Sequence, residues 1–259
     1  MNIATLFDIR GKRALVTGGT LGIGAMIAEG LVNAGAIVTI CSRKANAVAE
    51  TVERLSAFGT IDGIAADLSK QDGIDAVVAH VNAAGPLNIL VNNAGVTWGA
   101  PLDDFPREGF EKVLNMNLLA PFMLTKGLRG ALRQAGTADD PARVINIASI
   151  DGFRVPDWES YPYSASKAGI IHMSRHLGKF LADDHISVNS IAPGLFPSRM
   201  SASVFDFDDP QVAANGGRIG GRVGTPEDIV GGVVYLSSRA GAWVSGATLT
   251  IGGGVGTIE

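Results

Sequence analysis

The chain has little cysteine, little charge and no long uninterrupted apolar run. Its 259 residues contain one cysteine, Cys41, which excludes an intramolecular disulfide and fits a reducing compartment. Charged residues make up 18% and the formal net charge is −4, which does not favour binding to nucleic acid or to an anionic membrane. The first residues lack a run of signal-peptide length, and residues such as Glu29 interrupt the longer apolar stretches. We therefore expect a soluble, cytoplasmic protein.

Short apolar segments alternate with longer amphipathic segments along the chain. The short segments predict strands at 13–17, 37–41, 61–65, 89–91, 144–148, 187–191 and 249–251. The longer segments predict helices at about 22–34, 45–58, 69–84, 104–134, 161–183 and 226–238. Apolar strands that alternate with helices form a parallel sheet covered on both faces. We therefore predict one α/β domain over 1–259, doubly wound (Rossmann-type) around a mainly parallel seven-stranded sheet, with ligands at the carboxyl ends of the strands.

The segment at about 195–222 follows no regular pattern and is long for a connection. Irregular segments of this length are usually either functional or mobile. We expect a substrate lid here, and a surface excursion is the alternative.

The sequence TGGTLGIG, at 17–24, follows the first predicted strand and opens a helix. Its glycines allow a tight turn and a close approach to a pyrophosphate, whose charge suits a helix N-terminus. The spacing differs from the GxGxxG fingerprint of dinucleotide sites, so a plain glycine-rich turn is the alternative. The predicted cofactor contacts in this turn are Gly18, Thr20, Leu21, Gly22, Ile23 and Gly24.

The second predicted strand ends in CSRK, at 41–44. A site that prefers NAD carries an acid about 20 residues past the glycines, where it binds the ribose 2′-hydroxyl. Ser42 and Arg43 stand there instead, followed by Lys44. Because a guanidinium pairs with phosphate through charge-assisted hydrogen bonds, this pattern favours NADP(H). A solvated basic helix start is the alternative.

Two further segments follow predicted strands. Asp67 and Leu68 come after the third strand and are expected to contact the adenine. NNAG, at 92–95, comes after the fourth. Its asparagines can tie loop backbones together, and its glycine lets the chain pass close to the cofactor. The predicted contacts are Asn93, Ala94 and Gly95, and a purely structural turn is the alternative.

The stretch SYPYSASKAG, at 160–169, holds two tyrosines before a lysine. Tyr163 and Lys167 are four residues apart on a predicted helix and share a face, whereas Tyr161 has Ala165 at that offset. A cation near a phenol lowers its pKa, which makes Tyr163 usable as a general acid or base. Ser149 ends the fifth predicted strand, where its hydroxyl can bind a substrate oxygen. A structural tyrosine–lysine pair is the alternative.

Pro121 lies four residues after Asn117 inside a predicted helix. Proline has no N–H, so the Asn117 carbonyl loses its usual helical partner. We expect a kink with a free carbonyl, which could hold a water and pass protons onward.

These motifs together resemble the short-chain dehydrogenase/reductase family. The resemblance runs nearly end to end, and the following motifs keep the family's order and spacing: TGGTLGIG, NNAG, Asn117, Ser149, YSASK at 163–167 and APG at 192–194. It implies a single-domain, NADP(H)-preferring enzyme that transfers a hydride between nicotinamide and a carbonyl or secondary alcohol. It also implies a homotetramer that pairs the helices at about 104–134 and 161–183.

The resemblance implies a catalytic tetrad. Tyr163 would donate or accept the substrate proton, and Lys167 would lower its pKa and bind the nicotinamide ribose. Ser149 would orient the carbonyl or hydroxyl, and Asn117 would hold the relay water. The implied cofactor contacts after the sixth strand are Pro193, Gly194, Phe196 and Ser198.

Leu21 departs from the family pattern, because many NADP-preferring relatives carry a basic residue within the glycine turn. The cofactor preference of this chain would therefore depend on Arg43. Ser42 and Thr20 are expected to assist.

The expected substrate pocket is mostly apolar or aromatic, which suits a hydrophobic substrate. The run APGLFPSRM, at 192–200, resembles a subgroup of 3-oxoacyl reductases and favours a ketone or a 3-oxoacyl thioester as substrate. Arg154 and Arg199 could meet an anionic group, although solvated arginines are the more ordinary interpretation. The predicted pocket residues are Trp98, Ile150, Phe153, Val155, Trp158, Tyr161, Phe196 and Met200.

The sequence favours three other interpretations less. An NAD-linked sugar, polyol or alcohol dehydrogenase is disfavoured by Ser42 and Arg43. A non-catalytic dinucleotide-binding sensor or scaffold would be favoured by loss of the serine, tyrosine or lysine, and all three are present. His172 and His176 are four residues apart, but no third ligand stands near, so we expect no metal site.

Overall fold

The computed structural model describes residues 2–203, 206–209, 211–212 and 216–256. The rest of the predicted lid, at 204–205, 210 and 213–215, lies outside the described residues. In the described part, a 3₁₀ turn covers Ser201–Ser203. Further along, the Ile219 N–H bonds to the Gly253 carbonyl at 2.9 Å, so this part of the segment lies against the C-terminal glycines.

The sheet has seven strands, and every neighbouring pair is parallel. The strands are β1 (Arg13–Thr17), β2 (Ile37–Ser42), β3 (Ile61–Ala65), β4 (Ile89–Asn92), β5 (Ala142–Ile147), β6 (Ile186–Pro193) and β7 (Thr248–Ile251). Their spatial order is β3-β2-β1-β4-β5-β6-β7. The predicted doubly wound α/β fold is confirmed. The predicted strands are right within a few residues, because the buried strands are apolar almost throughout.

Eight α-helices lie in the described residues. They are α1 (Ile3–Leu6), α2 (Gly22–Asn33), α3 (Ala45–Ser56), α4 (Gln71–Ala83), α5 (Arg107–Leu114), α6 (Ala120–Ala135), α7 (Tyr161–Phe180) and α8 (Pro226–Ser237). None of these helices combines the length and hydropathy that a membrane span requires.

The single helix predicted at about 104–134 is wrong. The structure divides it into a 3₁₀ turn at Leu102–Asp104, then α5, a π-helical turn at Asn115–Leu119, and α6. Pro121 lies in the first turn of α6, where its missing N–H removes one α-helical bond. The wider π-helical turn absorbs that loss, and such turns often occur at functional sites.

The core forms two layers, one on each face of the sheet. Val16 belongs to the layer that includes residues of α2 and α8, such as Leu31 and Val233. Its neighbour Leu15 belongs to the opposite layer, with residues of α4 and α6 such as Leu128. Neighbouring residues of β1 therefore point to opposite faces, as the alternation of side chains along a strand requires.

The chain reverses its direction of travel across the sheet between β1 and β4. Strands β2 and β3 lie on one side of β1, and β4 to β7 lie on the other. Connections leave the carboxyl ends of β1 and β4 in opposite directions, which opens a crevice between them. Ligands of doubly wound sheets bind at such a switch point.

Candidate active site

The turn between β1 and α2 lies at the switch point, and its glycines allow a tight bend of the backbone. Gly18 and Gly22 adopt φ angles of +67° and +54°, which L side chains rarely tolerate. A Cβ on Gly24 would overlap the Gly18 carbonyl and the Asn93 amide. Leu21 occupies the N-cap of α2 and has no polar group with which to cap the helix. The first N–H groups of α2 therefore remain available to an anion.

Asn93 fastens the loop after β4 to the end of β1. Its side-chain amide donates to the Thr17 carbonyl at 2.9 Å. The Thr17 hydroxyl in turn accepts the backbone N–H groups of Asn93 at 2.9 Å and Ala94 at 3.0 Å. Asn92 points into the sheet instead, where its amide donates to the Asn146 side chain at 2.9 Å. Only the second asparagine of the motif therefore joins the loop backbones.

The end of β2 carries the exposed basic residues. The Thr20 hydroxyl donates to Ser42 at 3.0 Å, which joins the glycine turn to β2. Arg43 and Lys44 are exposed. Burial acts to raise the pKa of Asp67, but the hydrogen bonds from Ser69 and the charge of Arg43 hold it below its usual value. The Arg43 guanidinium thus lies on the same rim as Asp67, whereas the next residue along, Leu68, is 4% exposed and packs in the core.

Lys167 and Ser149 converge on Tyr163 at the carboxyl end of β5. The Lys167 ammonium lies 5.5 Å from the centre of the Tyr163 ring and donates to the Ile147 carbonyl at 2.8 Å. The Ser149 side chain hydrogen-bonds to Tyr163. Lys167 and Ser149 are 6% and 7% exposed, so the cluster excludes most water. The structure therefore brings these three predicted residues together.

Burial dominates the proton affinities of this cluster. It raises the pKa of Tyr163 to about 12, and the hydrogen bond from Ser149 offsets part of this effect. Burial also lowers the pKa of Lys167 to about 8. We expected Lys167 to lower the Tyr163 pKa. In the structure the pKa is raised instead, and the loss of solvation of the phenolate is the largest cause. At neutral pH the phenol is therefore protonated, which is the form that a general acid requires.

Asn117 lies in the π-helical turn and joins the loop after β4 to α7. Its side chain accepts the Val96 N–H at 2.8 Å and donates to the Val96 carbonyl at 2.9 Å. The same amide donates to Ser166 at 3.0 Å. A Cβ on Gly95 would lie 3.2 Å from the Asn117 oxygen, so this loop approaches closely. Asn117 therefore fixes the position of the residue that precedes Lys167.

The segment after β6 crosses the glycine turn. The Gly194 N–H bonds to the Ile251 carbonyl at 2.8 Å, just past Pro193 at the end of β6. The Ser198 Cβ lies 2.9 Å from where a Cβ on Gly22 would stand. The Ser201 hydroxyl donates to the Phe196 carbonyl at 2.7 Å and holds this bend. Ser198 thus approaches the predicted cofactor turn, and Ser201 is a supporting residue that the sequence did not reveal.

The structure places the predicted substrate-pocket residues in different surroundings. The Trp158 ring lies 6.1 Å from the Tyr163 ring and is the aromatic neighbour of the site. The side chains of Ile150 and Phe196 are 4% and 3% exposed, so they are core residues. Trp98 packs against Gly109, beneath the Lys112 ammonium at 5.1 Å. The prediction placed these residues by their position along the chain. Position along a loop does not determine where a side chain points, so the observed surroundings differ from the predicted ones.

Tyr161 lies on the outer face of α7, away from Tyr163. Its hydroxyl donates to Glu159 at 2.6 Å, and its ring meets Phe105 edge-on at 5.8 Å. Together with residues of α5 it lines a cavity of about 380 Å³. Val155 is 91% exposed and Phe153 is 38% exposed, while Met200 is partly buried.

Arg154 is paired rather than free. Its Nε donates to the Asp151 carboxylate at 3.0 Å. Asp151 was not among the predicted site residues, and its backbone N–H donates to the Ser149 hydroxyl oxygen at 3.1 Å. His172 and His176 are exposed on α7, and no group of three metal-ligating side chains occurs in the described ranges.

A Rossmann-type sheet with a glycine turn, and with a serine, tyrosine and lysine at the adjoining strand end, defines a nucleotide-dependent oxidoreductase. The family model for short chain dehydrogenases matches residues 12–209. The chain belongs to the short-chain dehydrogenase family.

Individual relatives cover nearly the whole chain. The Pseudomonas aeruginosa rhamnolipid-biosynthesis 3-oxoacyl-[acyl-carrier-protein] reductase is 44% identical over 251 residues, which are 96% of this chain and 97% of the relative. The 5-keto-D-gluconate 5-reductase of Escherichia coli is 34% identical over 255 residues, with 96% and 97% coverage. The solved P. aeruginosa RhlG/NADP active-site complex superposes with a TM-score of 0.93 at 42% identity, over 99% of this chain and 100% of that one.

Proposed function

We propose that this enzyme uses NADPH to reduce a hydrophobic ketone or 3-oxoacyl compound to the corresponding alcohol. The observation that carries the proposal is the Ser149–Tyr163–Lys167 cluster beside the open glycine turn. Its protonated phenol suits a general acid, and its buried hydroxyl suits a carbonyl-binding group.

The residues around the turn fit a dinucleotide with a 2′-phosphate. The first N–H groups of α2 would bind the pyrophosphate, because a leucine at the N-cap leaves them uncapped. The exposed Arg43, beside Ser42 and Thr20, would pair with the 2′-phosphate. The related P. aeruginosa structure is an NADP complex, which agrees with this arrangement.

The chain's own residues would position the carbonyl and deliver the proton. NADPH, when bound, supplies the hydride to the carbonyl carbon, and the carbonyl oxygen gains one proton. Ser149 would hold that oxygen, and Tyr163 would donate the proton. Lys167 would bind the nicotinamide ribose and stabilise the phenolate left behind. The Asn117 carbonyl, in the π-helical turn, would hold the water that returns the proton.

A 3-oxoacyl thioester is the substrate that we favour. The relative at 44% identity is a 3-oxoacyl-[acyl-carrier-protein] reductase, and Trp158 provides an apolar surface beside Tyr163. The E. coli relative reduces a sugar acid, so a polar keto acid is the competing substrate class. Arg43 is exposed, so it favours NADPH whichever of the two substrate classes is reduced.

A spectrophotometric screen of NADPH oxidation tests the substrate proposal. The compounds are 3-oxoacyl thioesters, diketones, cyclic ketones and 5-keto sugar acids, each measured in parallel with NADH. We expect the highest kcat/KM with 3-oxoacyl thioesters and NADPH. Faster turnover of the sugar acids would overturn the hydrophobic substrate, and turnover with none of them would overturn the reductase proposal.

We further propose a cytoplasmic homotetramer. The α5–π–α6 face carries a groove of about 760 Å³ with the exposed side chains of Leu119 and Phe122, and Met173 of α7 lines the same groove. Burial of this apolar face by a second copy would stabilise the assembly. We expect light scattering to give four times the chain mass, and the mass of a single chain would contradict the proposal.

The buried thiol of Cys41 suits a reducing compartment.

A further inference from the structure

We propose that Trp158 determines which ketones this enzyme accepts, because its ring forms an apolar wall beside Tyr163 that favours acyl chains over sugar acids. Trp158 would be a specificity-determining residue that takes no part in proton transfer. The inference rests on the proposed reductase function and on the proposed role of Tyr163 as the proton donor.

The ring of Trp158 lies beside the phenol that would protonate the substrate. The centres of the Trp158 and Tyr163 rings are 6.1 Å apart, and the ring planes are tilted by 42°. Aromatic rings at this separation pack against each other. A ketone whose carbonyl oxygen is bound at the Tyr163 hydroxyl would therefore carry its neighbouring carbons close to the Trp158 ring.

The loop after β4 and the start of α7 hold this ring in place. A Cβ on Gly99 would lie 3.6 and 3.8 Å from two atoms of the Trp158 ring, so the ring packs against the loop. The Ala100 N–H donates to the Glu159 carbonyl at 3.1 Å, and the Ser160 N–H donates to the Trp158 carbonyl at 2.9 Å. A ring that is fixed before binding loses little conformational entropy when a substrate packs on it.

Trp158 keeps surface that a ligand can cover. It is partly buried, whereas Ile150 and Phe196, two other apolar residues of the predicted pocket, are 4% and 3% exposed. Trp98, the other tryptophan of that set, packs against α5 instead. Trp158 therefore combines contact with Tyr163 and surface that remains open to a substrate.

An aromatic wall favours one of the two competing substrate classes. An acyl chain that covers the ring leaves water, and the gain in free energy is proportional to the apolar area buried. The hydroxyls of a sugar acid would lose hydration there without gaining a partner, and its carboxylate would meet the negative face of the ring. Arg154, in the same segment between β5 and α7, already has Asp151 as its partner at 3.0 Å. The surroundings of Trp158 therefore favour an acyl chain.

Trp158→Ala tests the inference through the ratio of two kcat/KM values, that for a 3-oxoacyl thioester divided by that for a 5-keto sugar acid. The substitution should lower this ratio by roughly 10- to 100-fold, as loss of apolar contacts in a specificity pocket does. The loss should appear mainly as a higher KM for the thioester, because the ring contacts the substrate and the transition state alike. Calorimetry should show weaker binding of the 3-hydroxyacyl thioester product by a similar factor. Trp158→Phe keeps a ring at this position and should retain most of the preference.

Trp98→Ala is the matched control, because it removes the indole that packs against α5 rather than against Tyr163. The ratio does not depend on how much of a variant is folded, and it should not change with Trp98→Ala. Circular dichroism checks the fold of each variant. An unchanged ratio with Trp158→Ala, an equal fall with Trp98→Ala, or a loss confined to kcat would overturn the inference. Failure of the unsubstituted enzyme to reduce either compound would instead overturn the reductase function on which the inference rests.

Discussion

Tyr163→Phe should lower kcat for NADPH-dependent ketone reduction by about 100- to 10,000-fold, the usual contribution of a positioned general acid. The substitution removes one hydroxyl from a partly buried ring that packs against Trp158, so the fold should be retained. NADPH binding should also persist, since Lys167 and the glycine turn are unchanged. Single-turnover kinetics measure the rate of ketone reduction, and a fluorescence titration measures the affinity for NADPH.

Tyr161→Phe is the control for this result. It removes an identical hydroxyl two residues away, from a ring on the outer face of α7 whose partner is Glu159. Turnover should stay close to that of the unsubstituted enzyme. A large loss with Tyr161→Phe, or retention of most activity with Tyr163→Phe, would reverse the assignment of the two tyrosines.

Arg43→Asp should convert the preference for NADPH into a preference for NADH. Hydrogen bonds to a charged group contribute about 1.5–3 kcal/mol, so their loss should weaken NADPH binding by roughly 10- to 150-fold. The new carboxylate would also repel the 2′-phosphate of NADPH, and it could accept a hydrogen bond from the ribose 2′-hydroxyl of NADH. NADH affinity should therefore be unchanged or improved. Isothermal titration calorimetry with both nucleotides gives the two Kd values.

Lys70→Asp separates a specific contact from a general effect of charge. Lys70 is exposed at the start of α4, and its charge acts on Asp67 as that of Arg43 does. The same reversal of charge at Lys70 should weaken NADPH binding only slightly, by an amount that decreases as the salt concentration rises. Equal losses from the two substitutions, or equal effects of Arg43→Asp on both nucleotides, would refute the 2′-phosphate role.

The sequence by itself determined the parts of this protein that depend on local chemistry. Buried strands and amphipathic helices leave distinct periodicities, so the alternation around a parallel sheet was predictable. Tyr163 and Lys167 share a helical face because of their spacing of four residues, and the structure brings them together. The break near Pro121 was predictable as a kink, since a missing N–H is a property of the residue itself.

Tertiary packing alone decided the properties that depend on residues distant in the chain. The direction of the Tyr163 pKa follows mainly from burial, which is not visible in a spacing. Phe196 and Ile150 have the composition of pocket residues, yet they pack in the core, while Tyr161 faces outward. A side chain's solvation and neighbours are set by several elements at once. The motifs therefore predicted the chemistry of the reaction, while its tuning and the shape of the substrate site came from the fold.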